Sequence, residues 1–193
     1  MLSQRVYNLL HVYTTTSVAK SSRYRIYIDG ANMFYVQRDL GWRIDWQKLK
    51  MLLSQYYDIV ELRYYTGVKA DHDPMLQFLR FLQHIGFITV TKPVKKITLD
   101  STHPEYVQGG DNIRLKANLD VEITADVIRN APNAEYVVLL SGDSDFACLA
   151  EILKPKGNKI VVLSSKRHLS YELKLACHQH ELFENLENML RKA

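Results

Sequence analysis

The unbroken apolar segment Tyr136–Leu140 constrains the fold of this chain more than any other feature of its sequence. It reads Tyr-Val-Val-Leu-Leu, so both sides of an extended strand would carry apolar side chains. Strands of this kind are typical of the centre of a parallel sheet, where helices cover both faces. We therefore expect this segment to be a central parallel strand.

The rest of the chain alternates between segments of strand character and segments of helical periodicity. The predicted strands are residues 24–28, 59–65, 87–91, 136–140 and 159–163. The predicted helices begin at or near residues 45, 73, 119, 146, 171 and 184. Residues 93–100 are compatible with an edge hairpin, and the polar residues 101–111 indicate a mobile loop. This alternation predicts a three-layer α/β fold with a mostly parallel central sheet.

The length of 193 residues and the hydrophobic content of 47% are sufficient for one domain with its own core. We assign residues 23–193 to this domain and residues 1–22 to an N-terminal leader or extension. Met1–Ile28 contains no acidic residue and carries a hydroxyl cluster at Thr14–Ser17. This composition resembles an organellar transit peptide. The alternatives are a non-catalytic leader, which we favour, and a start codon placed too far upstream.

Charge and cysteine content limit the classes of partner and compartment. The formal net charge of +4 favours an acidic partner such as nucleic acid only weakly. Cys148 and Cys177 have no partners at metal-ligand spacing and do not form a disulfide framework. No apolar run reaches the length that a bilayer requires. The sequence therefore predicts a cytoplasmic protein with no membrane association, and organellar targeting is the alternative.

Aspartates follow two predicted strands at the point where each strand ends. Asp29 follows the strand of residues 24–28, and Asp143 and Asp145 follow the strand of residues 136–140. Asp120, on a predicted helix, is a further candidate. Ligands of open parallel sheets bind at the carboxyl ends of the strands, near the point where the strand order reverses. We therefore expect these carboxylates to converge at one edge of the sheet.

Converging carboxylates need compensation, because two charges ~4 Å apart repel by about 4 kcal/mol at an effective dielectric constant near 20. The chain can protonate a carboxylate, place a basic group beside it or bind a cation. Oxygen ligands favour Mg²⁺ or Mn²⁺, which can activate water for an in-line displacement at phosphorus. Lys116 is the candidate for the basic group, since it precedes Asp120 by one turn of the helical pattern. It would neutralise the carboxylates or contact a phosphate.

Helix capping is the simpler explanation for any one of these aspartates taken alone. Ser144 or Asp145 is placed to cap the helix that follows the turn. Capping does not explain the whole segment Ser141–Asp145 together with Asp29 and Asn32. The combination therefore favours a metal-binding site over helix capping alone.

Three motifs resemble those of the NYN family, which belongs to the PIN-like nucleases. They are Tyr27-Ile-Asp-Gly-Ala-Asn32, Lys116-Ala-Asn-Leu-Asp120 with Asp126 following, and Leu140-Ser-Gly-Asp-Ser-Asp-Phe146. Their order and spacing also match, and the resemblance covers roughly residues 24–163. The second motif of the family commonly reads Lys-Gly-Val-Asp, so the loop between Lys116 and Asp120 departs from the family pattern.

The resemblance implies a PIN-like, Rossmann-like fold and assigns roles to the polar residues of the motifs. It makes Asp29, Asp120 and Asp143 metal-binding acids, with Asp145 as a fourth and Asn32 as the residue that orients water or phosphate. The supporting or phosphate-binding residues are Lys116, Asp126, Ser141 and Ser144. Asp126 has a supporting role because it lies about 120° around an ideal helix from Asp120.

By the same resemblance, the chain would be a metal-dependent endoribonuclease that uses Mg²⁺ or Mn²⁺ to cleave single-stranded or structured RNA; a homodimer is compatible with it. The alternative is a non-catalytic RNA- or protein-binding PIN-like module, although a pure binder of polyanions gains nothing from clustered acids. Phosphotransferases of the haloacid dehalogenase type also begin with a strand and an Asp-Gly turn. They need an acid two residues from the nucleophile, and Tyr27 occupies that position before Asp29.

Overall fold

Six of the eight strands in the described residues form one parallel sheet. The computed structural model describes residues 22–69, 73–98, 102 and 113–193. In chain order the strands are β1 (Arg23–Asp29), β2 (Asp58–Val68), β3 (Ile88–Pro93), β4 (Lys95–Thr98), β5 (Ile113–Lys116), β6 (Tyr136–Leu140), β7 (Lys159–Ser164) and β8 (Gln179–Leu182). The order in the large sheet is β3-β2-β1-β6-β7-β8, with parallel pairing throughout, and β4 and β5 form a separate antiparallel pair.

The described helices cover both faces of this sheet. They are α1 (Gly30–Leu40), α2 (Trp46–Tyr56), α3 (Asp73–His84), α4 (Asp120–Asn130), α5 (Phe146–Leu153), α6 (Tyr171–Ala176) and α7 (Glu187–Leu190). Buried side chains of α1, α2, α3 and α7 form one apolar core with the sheet, and those of α4, α5 and α6 form the other. The predicted three-layer α/β fold with a parallel sheet is confirmed.

Strand β6 occupies the central position that its sequence predicts. All its residues are buried, and it pairs in parallel with β1 on one side and with β7 on the other. Val138 and Leu140 face the core on the α1 side, whereas Val137 and Leu139 face the core on the α4 side. The apolar character of this segment therefore follows from its burial on both faces.

The strand order reverses between β1 and β6. From β1 the sheet continues to β2 and β3 in one direction, and from β6 it continues to β7 and β8 in the other. The helices that follow these two strands, α1 and α5, pack in different cores on opposite faces of the sheet. In open α/β sheets this is the point at which ligands bind, outside the carboxyl ends of the strands. Asp29 ends β1, and Ser141 directly follows β6.

Capping residues fix the helix boundaries much as the sequence predicts. The Asp45 carboxylate accepts hydrogen bonds from the backbone amides of Gln47 and Lys48, at 3.1 and 3.0 Å, and so caps α2. Gly86 ends α3 with φ of +89°, a conformation that favours glycine. None of the described helices combines the length and the apolar character that crossing a membrane would take.

Helix α1 and strand β8 are elements that the sequence pattern does not predict. In α1 the apolar residues point in several directions, because Met33 and Val36 are buried while Phe34 and Tyr35 are exposed. The sequence of β8, Gln-His-Glu-Leu, has no apolar alternation, and the strand forms by pairing with β7 at the edge of the sheet. The predicted loop 101–111 lies outside the described residues except for Thr102, and the predicted leader boundary at residue 22 stays a prediction.

Candidate metal centre

Three aspartates from two separate elements form a compact carboxylate group at the switch point of the sheet. One carboxylate oxygen each from Asp120, Asp143 and Asp145 lies within 4.8 Å of the other two. Asp120 is the first residue of α4, and Asp143 and Asp145 belong to the turn between β6 and α5. Asp120 and Asp143 are half-buried and Asp145 is exposed, so the group is open to solvent.

The turn between β6 and α5 is held by hydrogen bonds that leave the Asp145 carboxylate free of a capping role. The backbone amide of Asp145 donates to Asp143 Oδ1 at 3.0 Å, and the amide of Asp143 donates to Ser141 Oγ at 3.3 Å. Asp145 precedes α5, but its side chain makes no capping hydrogen bond. Ser144 is exposed and provides only its carbonyl, to the amide of Ala147. Asp145 therefore occupies the N-cap position of α5 but does not cap the helix with its side chain, and Ser144 is not the N-cap residue.

Asp120 is fixed at the start of α4 by its neighbours. Its backbone amide donates to the Asn118 side-chain oxygen at 2.8 Å. The preceding residue, Leu119, is buried in the core. Lys92 Nζ donates to the Asn118 carbonyl at 3.2 Å and to Glu122 Oε1 at 2.7 Å. Lys92 thus ties β3 to the beginning of α4 and forms an ion pair with Glu122. The sequence pattern did not identify Lys92 or Asn118 in this role, because neither lies in a strand-end turn.

Asp29 lies in the same region but has protein partners at both of its oxygens. Oδ1 caps α1 by accepting the backbone amides of Ala31 and Asn32 at 3.1 Å, and Oδ2 accepts the Ser141 hydroxyl at 3.1 Å. The pKa of Asp29 is raised from 3.8 to about 6, mainly by burial; the negative charge of Asp120 also raises it, whereas the hydrogen bonds from Asn32, Ser141 and Ala31 lower it. Asp29 therefore belongs to the electrostatic environment of the group, although it is not one of its three members.

Asn32 connects α1 to the turn that carries Asp143. Its side-chain oxygen accepts the backbone amide of Gly142 at 3.2 Å. Ser141, which bonds to both Asp29 and the amide of Asp143, forms the second connection. The structure therefore brings Asp29, Asn32 and Ser141 together around the β6–α5 turn. That Asn32 orients water or phosphate stays a prediction.

Gly142 allows two loops to pack directly against each other at this turn. A Cβ atom on Gly142 would overlap the carbonyl oxygen of His168 and would lie 2.6 Å from Ser164 Oγ. The Gly142 carbonyl also accepts the amide of Ser170 at 2.9 Å. The glycine is thus required by the close approach of the β7–α6 loop, which its position in the turn motif alone does not reveal.

Two residues of the second motif are placed differently from what the sequence suggests. The prediction that Lys116 lies one helical turn before Asp120 is wrong, because Lys116 ends β5 and α4 begins at Asp120. The side chain of Lys116 lies outside the described part of the structure. Asp126 faces β2, where it accepts hydrogen bonds from Arg63 at 3.1 Å and from the Tyr65 hydroxyl at 2.8 Å. Asp126 thereby joins α4 to the sheet.

The three acids lack a cationic partner within the described residues, since no ion pair there includes any of them. Burial raises the pKa of Asp120, and the negative charges of Asp143, Asp145 and Glu122 raise it further against the Asn118 hydrogen bond. A set of carboxylate oxygens is the ligand type that Mg²⁺ and Mn²⁺ prefer. The residues present therefore fit a hard divalent cation.

Asp29 is expected to make the metal-free protein less stable as the pH rises from about 4 to about 6. Its folded pKa of about 6 exceeds the ordinary value of 3.8, so the folded state holds this proton more tightly than the unfolded chain. The linked stability is complete below the unfolded pKa and is lost as the pH rises through the folded pKa. The difference between the folded and unfolded pKa values of Asp29 corresponds to a loss of roughly 3 kcal/mol at most in the free energy of unfolding.

Urea unfolding of wild type and Asp29→Asn in metal-free buffer between pH 4 and pH 7 measures this effect. Asparagine keeps an oxygen for the amides of Ala31 and Asn32, so the helix cap is retained. The free energy of unfolding of the wild type, relative to that of the variant, should fall by about 1–3 kcal/mol over this range. A difference that does not change with pH would contradict the assignment.

A Rossmann-like parallel sheet with clustered acids at its switch point is the architecture of a PIN-like nuclease domain. Residues 23–184 match the sequence model of the NYN domain family, and the chain belongs to this family of PIN-like nucleases. The chain is similar to the low amplitude and bright protein LabA of Synechococcus elongatus, with 32% identity over 175 residues that cover 90% of both proteins.

A solved structure shows the same fold. A protein of unknown function from Vibrio parahaemolyticus superposes with a TM-score of 0.70 over 91% of this chain and 99% of its own, at 21% sequence identity. At this identity the likeness concerns the fold alone. It agrees with the six-stranded parallel sheet and the two helical layers described above.

Proposed function

We propose that this protein is a metal-dependent endoribonuclease that hydrolyses phosphodiester bonds of RNA in the cytoplasm. The observation that carries the proposal is the convergence of Asp120, Asp143 and Asp145, whose carboxylate oxygens lie within 4.8 Å of one another without a described cationic partner. Such an arrangement is unfavourable for the protein alone and favourable once a divalent cation is bound. Membership of a PIN-like nuclease family supports the same reading.

Each residue of the centre has a role in this proposal. Asp120, Asp143 and Asp145 would hold Mg²⁺ or Mn²⁺. When bound, the ion would supply an activated water and positive charge opposite the reacting phosphate. Asp29 and Ser141 orient the turn that carries Asp143, and Asp29 adds negative charge to the site. A direct contact of Asp29 with the ion stays a prediction.

Exposed basic residues that follow the carboxyl end of β3 favour a polyanionic substrate. Lys95 and Lys96 are exposed on β4, which follows β3 beyond the carboxyl edge of the sheet. A nucleic-acid backbone is held mainly by contacts between its phosphates and basic side chains of this kind.

Cleavage of a labelled single-stranded RNA tests the proposal. Wild-type protein should cleave with Mn²⁺ or Mg²⁺ and should lose activity in EDTA. Asp120→Asn should reduce the rate at least about 100-fold, which is the usual cost of removing a group that stabilises the transition state directly. Asp58→Asn is the matched control, because Asp58 is exposed at the opposite, amino end of β2.

The alternative of a non-catalytic binding module predicts a different result in the same assay. Folded wild-type protein would then bind the RNA equally well with Mn²⁺ and with EDTA and would leave it intact. Equal cleavage by wild type and Asp120→Asn would point to a contaminating nuclease and would also contradict the proposed site.

A further inference from the structure

Two aromatic side chains are exposed on the outer face of α1, the helix whose amino end lies at the metal centre. Phe34 is 63% exposed and Tyr35 is 45% exposed, although the helix otherwise buries Met33 and Val36. Their rings meet edge to face with centroids 5.5 Å apart. The apolar cores on either side of the sheet include neither ring. These residues therefore do not serve the packing of the domain.

The exposed strip on α1 begins at the acids. Asp29 caps the helix and Asn32 bonds to the β6–α5 turn, so the amino end of α1 lies at the metal centre. Ala31, Phe34, Tyr35 and Arg38 are exposed at spacings of three and four residues, which places them on one outward face. With a rise of 1.5 Å per residue, Phe34 lies roughly 7 Å along the helix from Asp29.

One arginine contacts the Tyr35 ring, and a second pairs with the next residue of the same helix turn. The guanidinium carbon of Arg38 lies 4.9 Å from the centroid of the Tyr35 ring. Arg38 and Arg167 both pair with Asp39, and their side chains remain 59% and 79% exposed. Two arginines around one aspartate leave net positive charge beside the rings. The strip thus combines an aromatic face with a cationic border, which is the combination that binds single-stranded nucleic acid.

We propose, on the basis of the proposed function, that Phe34, Tyr35 and Arg38 form a stacking ledge for an unpaired nucleobase of the RNA. The Phe34 ring stacks on the base, Arg38 and Arg167 contact the adjacent phosphates, and the neighbouring phosphodiester reaches the metal centre. A base within a duplex is stacked and paired, so it cannot use this ledge. The preferred substrate is therefore single-stranded RNA rather than a continuous duplex.

A protein partner is a poorer match to this surface. Stable protein interfaces bury about 800 Å² on each partner, and two adjacent side chains provide only a small part of that area. The other apolar side chains that are more than half exposed lie singly or in a pair on other helices: Met51 on α2, Val121 on α4, and Tyr171 and Leu175 on α6. A single base, by contrast, has the dimensions of one aromatic ring system.

Binding measured in the Asp143→Asn background separates the ledge from catalysis. The probes are a 12-nucleotide single-stranded RNA and a blunt 12-base-pair RNA duplex, with affinity measured by fluorescence anisotropy in Mg²⁺. Phe34→Ala should weaken binding of the single strand about 10-fold, in the range that loss of one stacked base produces, and should leave duplex binding unchanged. Phe34→Trp should restore the affinity, whereas Phe34→Leu should not.

Leu175→Ala is the matched control, because Leu175 is also 63% exposed but lies on α6, on the other side of the sheet. In the Asp143→Asn background, the affinity of the Leu175→Ala variant for the single-stranded RNA should equal that of Asp143→Asn alone. Equal binding by the alanine, leucine and tryptophan variants of Phe34 would overturn the ledge, as would failure of the parent to bind the single strand. Binding that depends on the aromatic ring, in a protein whose wild type does not cleave RNA, would support the ledge and contradict the proposed function.

Discussion

Asp143→Asn is expected to reduce metal-dependent RNA cleavage at least about 100-fold while the protein stays folded. The substitution removes the charge but keeps an oxygen, so the bond from the Asp145 amide to Oδ1, 3.0 Å in the wild type, can still form. The turn between β6 and α5 is therefore retained, and the loss of activity comes from weaker binding of the cation. Initial rates of cleavage of a labelled single-stranded RNA in Mn²⁺ measure the effect.

The carboxylates act as a unit in this account, which gives the variant series a definite pattern. Asp143→Asn combined with Asp145→Asn should be little slower than Asp143→Asn alone, because residues that serve one function have strongly non-additive effects. Asp58→Asn should retain wild-type rates. Independent, multiplying losses at Asp143 and Asp145 would show that the two acids do not share an ion.

Thermal unfolding provides a readout of the same substitution that does not depend on RNA. In EDTA, Asp143→Asn should unfold at the same temperature as the wild type or higher, because the substitution removes one of three mutually repelling charges. Added Mn²⁺ should raise the midpoint of the wild type through binding to the folded state only. The midpoint of the variant should change much less.

Gly142→Ala is expected to cause the largest loss of stability among single substitutions at the centre. The added Cβ would overlap the His168 carbonyl oxygen and lie 2.5 Å from the carbonyl carbon, and both atoms belong to backbone that cannot rotate away. Overpacking of this kind costs about 3 kcal/mol. For a domain of this size the thermal midpoint should fall by about 10 °C.

Ser144→Ala is the control for Gly142→Ala, since it introduces the same residue two positions further along the turn at an exposed site. Its unfolding midpoint should remain within about 2 °C of that of the wild type.

Metal affinity should also fall in Gly142→Ala, because relief of the overlap displaces the turn that carries Asp143. An unchanged midpoint for Gly142→Ala would show that the β7–α6 loop does not constrain this glycine.

Much of the fold follows from local sequence patterns because burial imposes them directly. The segment Tyr136–Leu140 is apolar on both faces since both faces are covered, and its position beside β1 follows from parallel pairing. Asp45 marks a helix start through its carboxylate, which accepts backbone amides, and Gly86 marks a helix end through its positive φ. The proximity of Asp29 to the turn that carries Asp143 and Asp145 is predictable for the same reason, since acids that follow neighbouring parallel strands lie at one edge of the sheet.

Other features depend on contacts between distant residues and leave no local pattern. Helix α1 lacks a regular apolar periodicity because Phe34 and Tyr35 are exposed. Strand β8 forms only through its pairing with β7. The helical position predicted for Lys116 is wrong because Leu119 adopts a non-helical conformation, with φ of −117° and ψ of 13°, directly before α4. The composition of the carboxylate group, with Asp145 in it and Asp29 beside it, depends on the hydrogen bonds of the β6–α5 turn.

An anomalous difference map from crystals grown with Mn²⁺ tests most directly whether Asp120, Asp143 and Asp145 share one cation. We predict a single strong peak about 2.2 Å from one oxygen of each of the three carboxylates, with the remaining ligand positions open to water or substrate. The same crystals without Mn²⁺ should show no peak there. Carboxylates that stay apart in Mn²⁺, or that are neutralised by a lysine or arginine side chain, would contradict the account.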